Sequence, residues 1–210
     1  MLQLVLDIIG VASFAVSGAM VAIDRQADLF GVQFLALMTA LGGGIIRDLL
    51  LGCTPPRMFT SYVYIAVAVG CALAVFIAAK LFRERYFANE KKLDAIDNFF
   101  DAIGLAAFTV SGATIAIETF GMGNPVLAVS MGMITGFGGG MLRDVLTNSM
   151  PMVLTKHVYA VASLIGAVLY YVMLRFGVSA IVCDGAAMVT VFAIRMLATR
   201  YRWNLPRVDF

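Results

Sequence analysis

Seven times along this chain a near-continuous apolar run reaches about 20 residues, the length a helix needs to cross ~30 Å of hydrocarbon. No other feature restricts the fold as much. In lipid, a spanning segment must satisfy its own backbone polar groups, so it is a helix or part of a closed barrel. Barrel strands would be ~10-residue alternating segments, and these runs do not alternate. The expected spans are about 2–23, 30–51, 58–82, 98–118, 125–147, 153–175 and 178–199. Composition agrees, with 61% of 210 residues hydrophobic, 13% charged and a mean hydropathy of +0.93. A soluble domain needs roughly a quarter of its residues charged. The fold class expected is therefore an all-α integral membrane bundle. The first run lacks the basic start and small-residue cleavage site of a signal peptide and has a twin in mid-chain, so it reads as a span.

The loops are short except for "RERYFANEKKLDAIDN", Arg83 to Asn98, and none has room for a soluble catalytic domain. Basic residues set the expected orientation. Arg25, Lys80, Arg83, Arg85, Lys91, Lys92, Lys156, Arg195, Arg200, Arg202 and Arg207 fall on one side, and only Arg57 and Arg175 on the other. The positive side stays in the cytoplasm. The N-terminus is then outside and the C-terminus inside. Topology accounts for the basic residues, so nucleic acid is not implied. The three cysteines, Cys53, Cys71 and Cys183, have no paired spacing, which indicates neither a disulfide framework nor a zinc site. No metal or cofactor is expected.

The chain repeats itself. "DIIGVASFAVSGAMVAID" (7–24) and "DAIGLAAFTVSGATIAIE" (101–118) share eleven of eighteen residues at an offset of 94. "GGGIIRDLL" (42–50) faces "GGGMLRDVL" (138–146) at an offset of 96, Pro55 matches Pro151, and "SYVY" (61–64) resembles "KHVY" (156–159). The expected plan is one transmembrane domain over 1–210, with repeat 1 at 2–82, a cytoplasmic linker at 83–97, repeat 2 at 98–175 and an extra helix at 178–199. A three-span repeat enters the bilayer from opposite sides in its two copies. The halves become an inverted 3+3 pair about an axis in the membrane plane, an arrangement common among transporters.

The repeated motif is costly. Gly42, Gly43 and Gly44 lie roughly 12–14 residues into span 2, or ~18–21 Å from its start; Gly138, Gly139 and Gly140 lie at a similar depth from the opposite face. Each glycine costs about 1 kcal/mol relative to alanine inside a helix. Triplets predict a bend or break in spans 2 and 5, close helix approach, or both. Arg47, Asp48, Arg143 and Asp144 follow, and a charge at a span's centre costs roughly 2.5–3.5 kcal/mol. Neighbours on a helix point about 100° apart, so crosswise pairs, Arg47 with Asp144 and Arg143 with Asp48, are expected between spans 2 and 5. Such pairs are either a structural salt-bridge set or a wet polar centre on a transport path. Ser17 and Ser111, in the paired "VSGA", line that path or pack helices. Asp7 and Asp101 are expected to cap spans 1 and 4, and Asp184 to pair with Arg175 at the outer rim. His157 reads as interfacial and Met131, Met133 and Met141 as packing residues.

With "GGG-x-x-RD" doubled on spans 2 and 5 of a 3+3+1 layout, residues 2–199 resemble the trimeric intracellular cation channel family in its bacterial branch. The resemblance implies a homotrimer in a bacterial inner membrane. Each protomer would have its own pore between kinked spans 2 and 5, passing monovalent cations, chiefly potassium. It assigns Gly42–Gly44, Gly138–Gly140, Arg47, Asp48, Arg143 and Asp144 to that pore. Animal members carry a lysine-glutamate-valine element linked to phosphoinositides, which this sequence lacks, so lipid regulation of that kind does not transfer. A rival reading is a secondary transporter of a small amino acid such as glycine, with an arginine holding the carboxylate and an aspartate the ammonium. An enzyme is not expected, since no Ser-His, Cys-His, "HExxH" or nucleotide-loop motif occurs in the spans.

Overall fold

A computed structural model describes residues 2–83, 86, 90–155 and 158–203. Among these residues all regular structure is helical: α1 (Leu2–Asp24), α2 (Leu29–Leu50), α3 (Arg57–Thr60), α4 (Tyr62–Leu81), α5 (Glu90–Phe120), α6 (Pro125–Leu146), α7 (Met152–Thr155), α8 (Tyr159–Arg175) and α9 (Ala180–Tyr201). Six of the seven long helices are long and apolar enough to cross a membrane, and α8, of 17 residues, is a shorter apolar seventh.

The helices begin where the sequence supplies a cap. At α2 the Asp28 carboxylate accepts from the Gly31 N–H at 2.8 Å, and at α6 the Asn124 side chain accepts from Leu127 N–H at 3.0 Å, ahead of Pro125. Glycines with positive φ follow α2, α5 and α8 at Gly52, Gly121 and Gly177.

Two expectations are corrected here and, of the alternatives for the glycine triplets, the break is excluded. Spans 3 and 6 each open with a separate four-residue helix, α3 and α7, before the long helix resumes at Tyr62 and Tyr159. Span 4 starts at Glu90 instead of 98, because Lys91, Lys92 and Asp94 sit on exposed helix positions beside half-buried Leu93, so the charged segment from 90 onward prolongs the helix. The glycine triplets do not break their helices: α2 and α6 run unbroken through 42–44 and 138–140. Lys156 and His157 lie outside the described residues.

Contacts in the two halves correspond. Helix α1 packs on α2 and α4, and α2 on α4; likewise α5 packs on α6 and α8, and α6 on α8. The halves join through α1 with α5 and α2 with α6, while α9 packs on α5 and α8. At the α1–α5 seam the Phe14 ring fills the space beside Gly104 and the Phe108 ring that beside Gly10, their centroids 5.4 Å apart. The residue distribution is that of a protein in lipid. Helix α4 buries only Ala68, Ala72 and Ala79 and turns Ile65, Val69, Leu73 and Ile77 outward. Met131 is buried beside Leu51 and Ile115, in the packing role expected of it.

Candidate functional site: two buried polar clusters about a glycine crossing

Helices α2 and α6 cross at backbone contact. A Cβ on Gly43 would strike the Thr135 carbonyl oxygen, and one on Gly139 would strike that of Thr39. Ile46 beside Gly138 and Leu142 beside Gly42 show that the helices run antiparallel. The third glycine of each triplet faces elsewhere, Gly44 toward Met58 and Gly140 toward the Tyr159 hydroxyl at 3.1 Å. One triplet thus serves two contact faces, which spaced small residues would not do.

Each arginine pairs with its own neighbour, not across the crossing. Arg47 reaches Asp48 Oδ1 from Nε at 2.8 Å and Nη2 at 2.7 Å; Arg143 reaches Asp144 Oδ1 from Nε at 2.9 Å and Nη2 at 2.8 Å. The antiparallel crossing explains the correction, since Arg47 and Asp144 depart from it in opposite directions and are separated by roughly 13 Å along the axes. A long arginine stem folds back over the 100° between neighbours. Both arginines lie in the last turn of their helices, where the dipole favours cations. The second aspartate oxygen has its own duty. Asp48 Oδ2 accepts from the Arg57 N–H at 2.7 Å, capping α3, and Asp144 Oδ2 accepts from the Met152 N–H at 2.8 Å, capping α7.

Beyond this shared clamp the halves differ. Arg143 Nη1 donates to Asp101 Oδ1 at 2.9 Å and to Ser17 Oγ at 2.6 Å, and Ser17 donates to Asp97 Oδ1 at 2.5 Å. Arg195 from α9 donates to Asn98 Oδ1 at 2.7 Å, stands 4.0 Å from Asp101 Oδ2 and lies 4.5 Å over the Tyr159 ring. In the first half, Asp7 Oδ1 accepts from Ser111 at 2.6 Å and Gln3 at 3.2 Å, and its Oδ2 from the Tyr64 hydroxyl at 3.4 Å. Arg47 Nη1, buried, has no hydrogen-bond partner among the described residues.

Asp7 and Asp101 are therefore not helix caps. Asp101 lies eleven residues into α5, because that helix starts at Glu90, and both acids are bonded inside the bundle. Ser17 and Ser111 belong to the polar clusters. Asp184 is buried near the Tyr170 hydroxyl, not at a rim with Arg175. Sequence reasoning missed Gln3, Tyr64, Asp97, Asn98, Tyr159 and Arg195. The repeat offset that pairs Asp7 with Asp101 also pairs Gln3 with Asp97, and this signal was available; Arg195 has no repeat partner to point to it. Among the described residues no three His, Cys, Asp or Glu side chains are grouped to hold a metal ion.

This geometry can be set beside known proteins. A family model described as glycine transporter matches residues 4–80 and 98–175. The inner membrane protein YadS of Escherichia coli is 36% identical over 205 residues, 96% of this chain and 93% of that one. A structure described as the basis for conductance through TRIC cation channels is similar at TM-score 0.84 and 37% identity, covering 98% of this chain and 97% of that one. The TRIC trimeric intracellular cation channel orthologue from Rhodobacter sphaeroides is similar at TM-score 0.86 and 33% identity, covering 96% and 99%. With these likenesses spanning nearly its whole length, the chain belongs to the bacterial branch of the trimeric intracellular cation channel family, the group that the glycine-transporter model also matches.

Proposed function

We propose that the chain is a cation channel of the bacterial inner membrane, passing monovalent cations and chiefly potassium. The observation that carries this reading is the balance of charge in the two buried clusters. Asp7 and Asp48 outnumber Arg47 in one, and Asp97, Asp101 and Asp144 outnumber Arg143 and Arg195 in the other. An interior with an excess of acids favours cations even though arginines line it. The similar proteins described as cation channels, and the inner-membrane relative, support the same assignment.

In this reading each protomer of a homotrimer has its own path past α2 and α6, with Ser17 and Ser111 supplying hydroxyls along it. Because the two helices are unbroken, carboxylates and hydroxyls, not freed backbone carbonyls, replace ion hydration. The crossing at Gly43 and Gly139 lies between the clusters, so conduction requires α2 and α6 to part there. The reciprocal contacts about that crossing support an inverted 3+3 repeat plus α9 in one transmembrane domain, and the family-model matches divide at the same linker. The basic residues support an outside N-terminus and a cytoplasmic C-terminus.

One observation favours a carrier of a small zwitterion instead: the unpartnered Arg47 Nη1, able to take a carboxylate beside the Asp7 cluster. Potassium flux and glycine uptake, measured side by side in liposomes with an Arg47→Gln/Arg143→Gln comparison, separate the two. Electrogenic, non-saturating potassium flux without glycine uptake is expected. Saturable glycine uptake, lost in the variant and without potassium current, overturns the channel.

A further inference from the structure

Helix α9 has no counterpart in the first half, yet it sends a charge into the second. Arg195 is 1% exposed, held by Asn98 and by the Tyr159 ring, with Asp101 Oδ2 4.0 Å away. The same half contains a second unmatched charge. At the repeat offset, Asp97 occupies the place of Gln3, so a carboxylate stands where the first half has a neutral amide. Both make the equivalent bond: Gln3 reaches Ser111 at 2.7 Å and Asp97 accepts from Ser17. Among the described residues, the cluster around Arg143 therefore has one acid more and one arginine more than the cluster around Arg47. The two additions cancel, leaving each cluster with one acid in excess.

We infer that Arg195 is a specificity-determining residue of the pore, offsetting Asp97 so that a path built from two unlike halves presents the same net charge to cations at both ends. The inference rests on the cation-pore reading. A fixed charge near one mouth changes the local cation concentration there, and low-dielectric walls strengthen the effect. Asp97 is well placed to matter, since with Tyr86 it lines a cavity of about 80 Å³ on the side where α1 ends. Asp24 and Asp94 line it too but are exposed, so salt screens them and the buried groups set the balance. Arg195 acts through its charge and touches no ion. A purely structural role, pinning α9 to α5, would depend on its hydrogen bonds and not on the sign of its charge.

The test uses the full-length protein in planar bilayers with symmetric potassium chloride, reading the ratio of currents at equal and opposite voltages. Wild type and Arg195→Lys should give near-linear currents. Arg195→Gln should rectify about twofold or more, and Asp97→Asn should rectify in the opposite sense. The Asp97→Asn/Arg195→Gln double variant should return to near-linear. Linear currents from either single variant, or rectification in the same sense from both, overturn the inference while leaving the channel standing. If Arg195→Gln alone fails to fold, the double variant decides, read against Asp97→Asn: a double variant that rectifies as strongly as Asp97→Asn overturns the inference. A wild type that passes no potassium current overturns the cation-pore reading, and the inference falls with it.

Discussion

The clusters around Arg47 and Arg143 start from the same motif and end differently. Both arginines clamp the next aspartate through Nε and Nη2, and both aspartates cap a short helix. Only Arg143 goes further, tying α6 to α1 and α5 through Ser17 and Asp101. Around Arg47 the equivalent acid, Asp7, is occupied by Ser111, Gln3 and Tyr64, and Nη1 has no acceptor. Both copies of the motif thus make the same local clamp, within one helix and its following turn. The long-range bonds diverged because they depend on neighbours that the two halves do not share, Asp97 and the α9 arginine above all.

The largest expected effect tests this contrast directly. Arg143→Gln leaves Asp101 and Asp144 buried without their cation and should lower stability by about 3–5 kcal/mol. Arg47→Gln leaves one buried acid, Asp48, without its cation and should cost about 3 kcal/mol, the low end of that range. Denaturant unfolding in detergent reads both, and equal losses would break the comparison.

The glycine crossing comes next, and there the halves should behave alike. Gly43→Ala and Gly139→Ala each drive a Cβ into a carbonyl oxygen of the other helix and should cost about 1–3 kcal/mol apiece. Gly70, on α4, has open space at its Cβ position, so Gly70→Ala should be neutral or stabilising by up to ~1 kcal/mol. A Gly43→Ala protein as stable as Gly70→Ala would remove the crossing as a contact.

The serines sharpen the contrast with a smaller effect. Ser17 accepts from a guanidinium and donates to a carboxylate, whereas Ser111 accepts from an amide and donates to a carboxylate. Bonds to charged groups are worth more than neutral ones, so Ser17→Ala should exceed Ser111→Ala by about 1 kcal/mol in the same unfolding measurement. The reverse order would mean that the second cluster is no tighter than the first.

Much of the fold was legible in the chain. Apolar run length gave the long helices to within a few residues at most ends. The two offsets, 94 and 96, revealed the repeat. The glycines and the charged pairs lie buried where the bundle is tightest, but the partners expected for the charges are not the ones they have. Crosswise pairing follows from the roughly 100° divergence of helix neighbours only if a side chain is treated as a direction; the reach of arginine defeats that argument. The capping roles expected of Asp7 and Asp101 failed because Glu90 to Asp97, read as a charged loop, prolong α5 and carry Asp101 into its interior.

The sequence by itself determined that the chain is a bundle of apolar helices, that it is duplicated, and that two costly motifs lie inside it. These follow from periodicity, length and composition, which depend on neighbours along the chain. Only the tertiary structure decided which charges meet, that the glycines join two unbroken helices, and that Arg195 from the unrepeated helix completes one cluster and not the other. Those outcomes depend on register and crossing between helices far apart in sequence, where a displacement of one turn, about 5.4 Å, separates an ion pair from a buried charge without a partner.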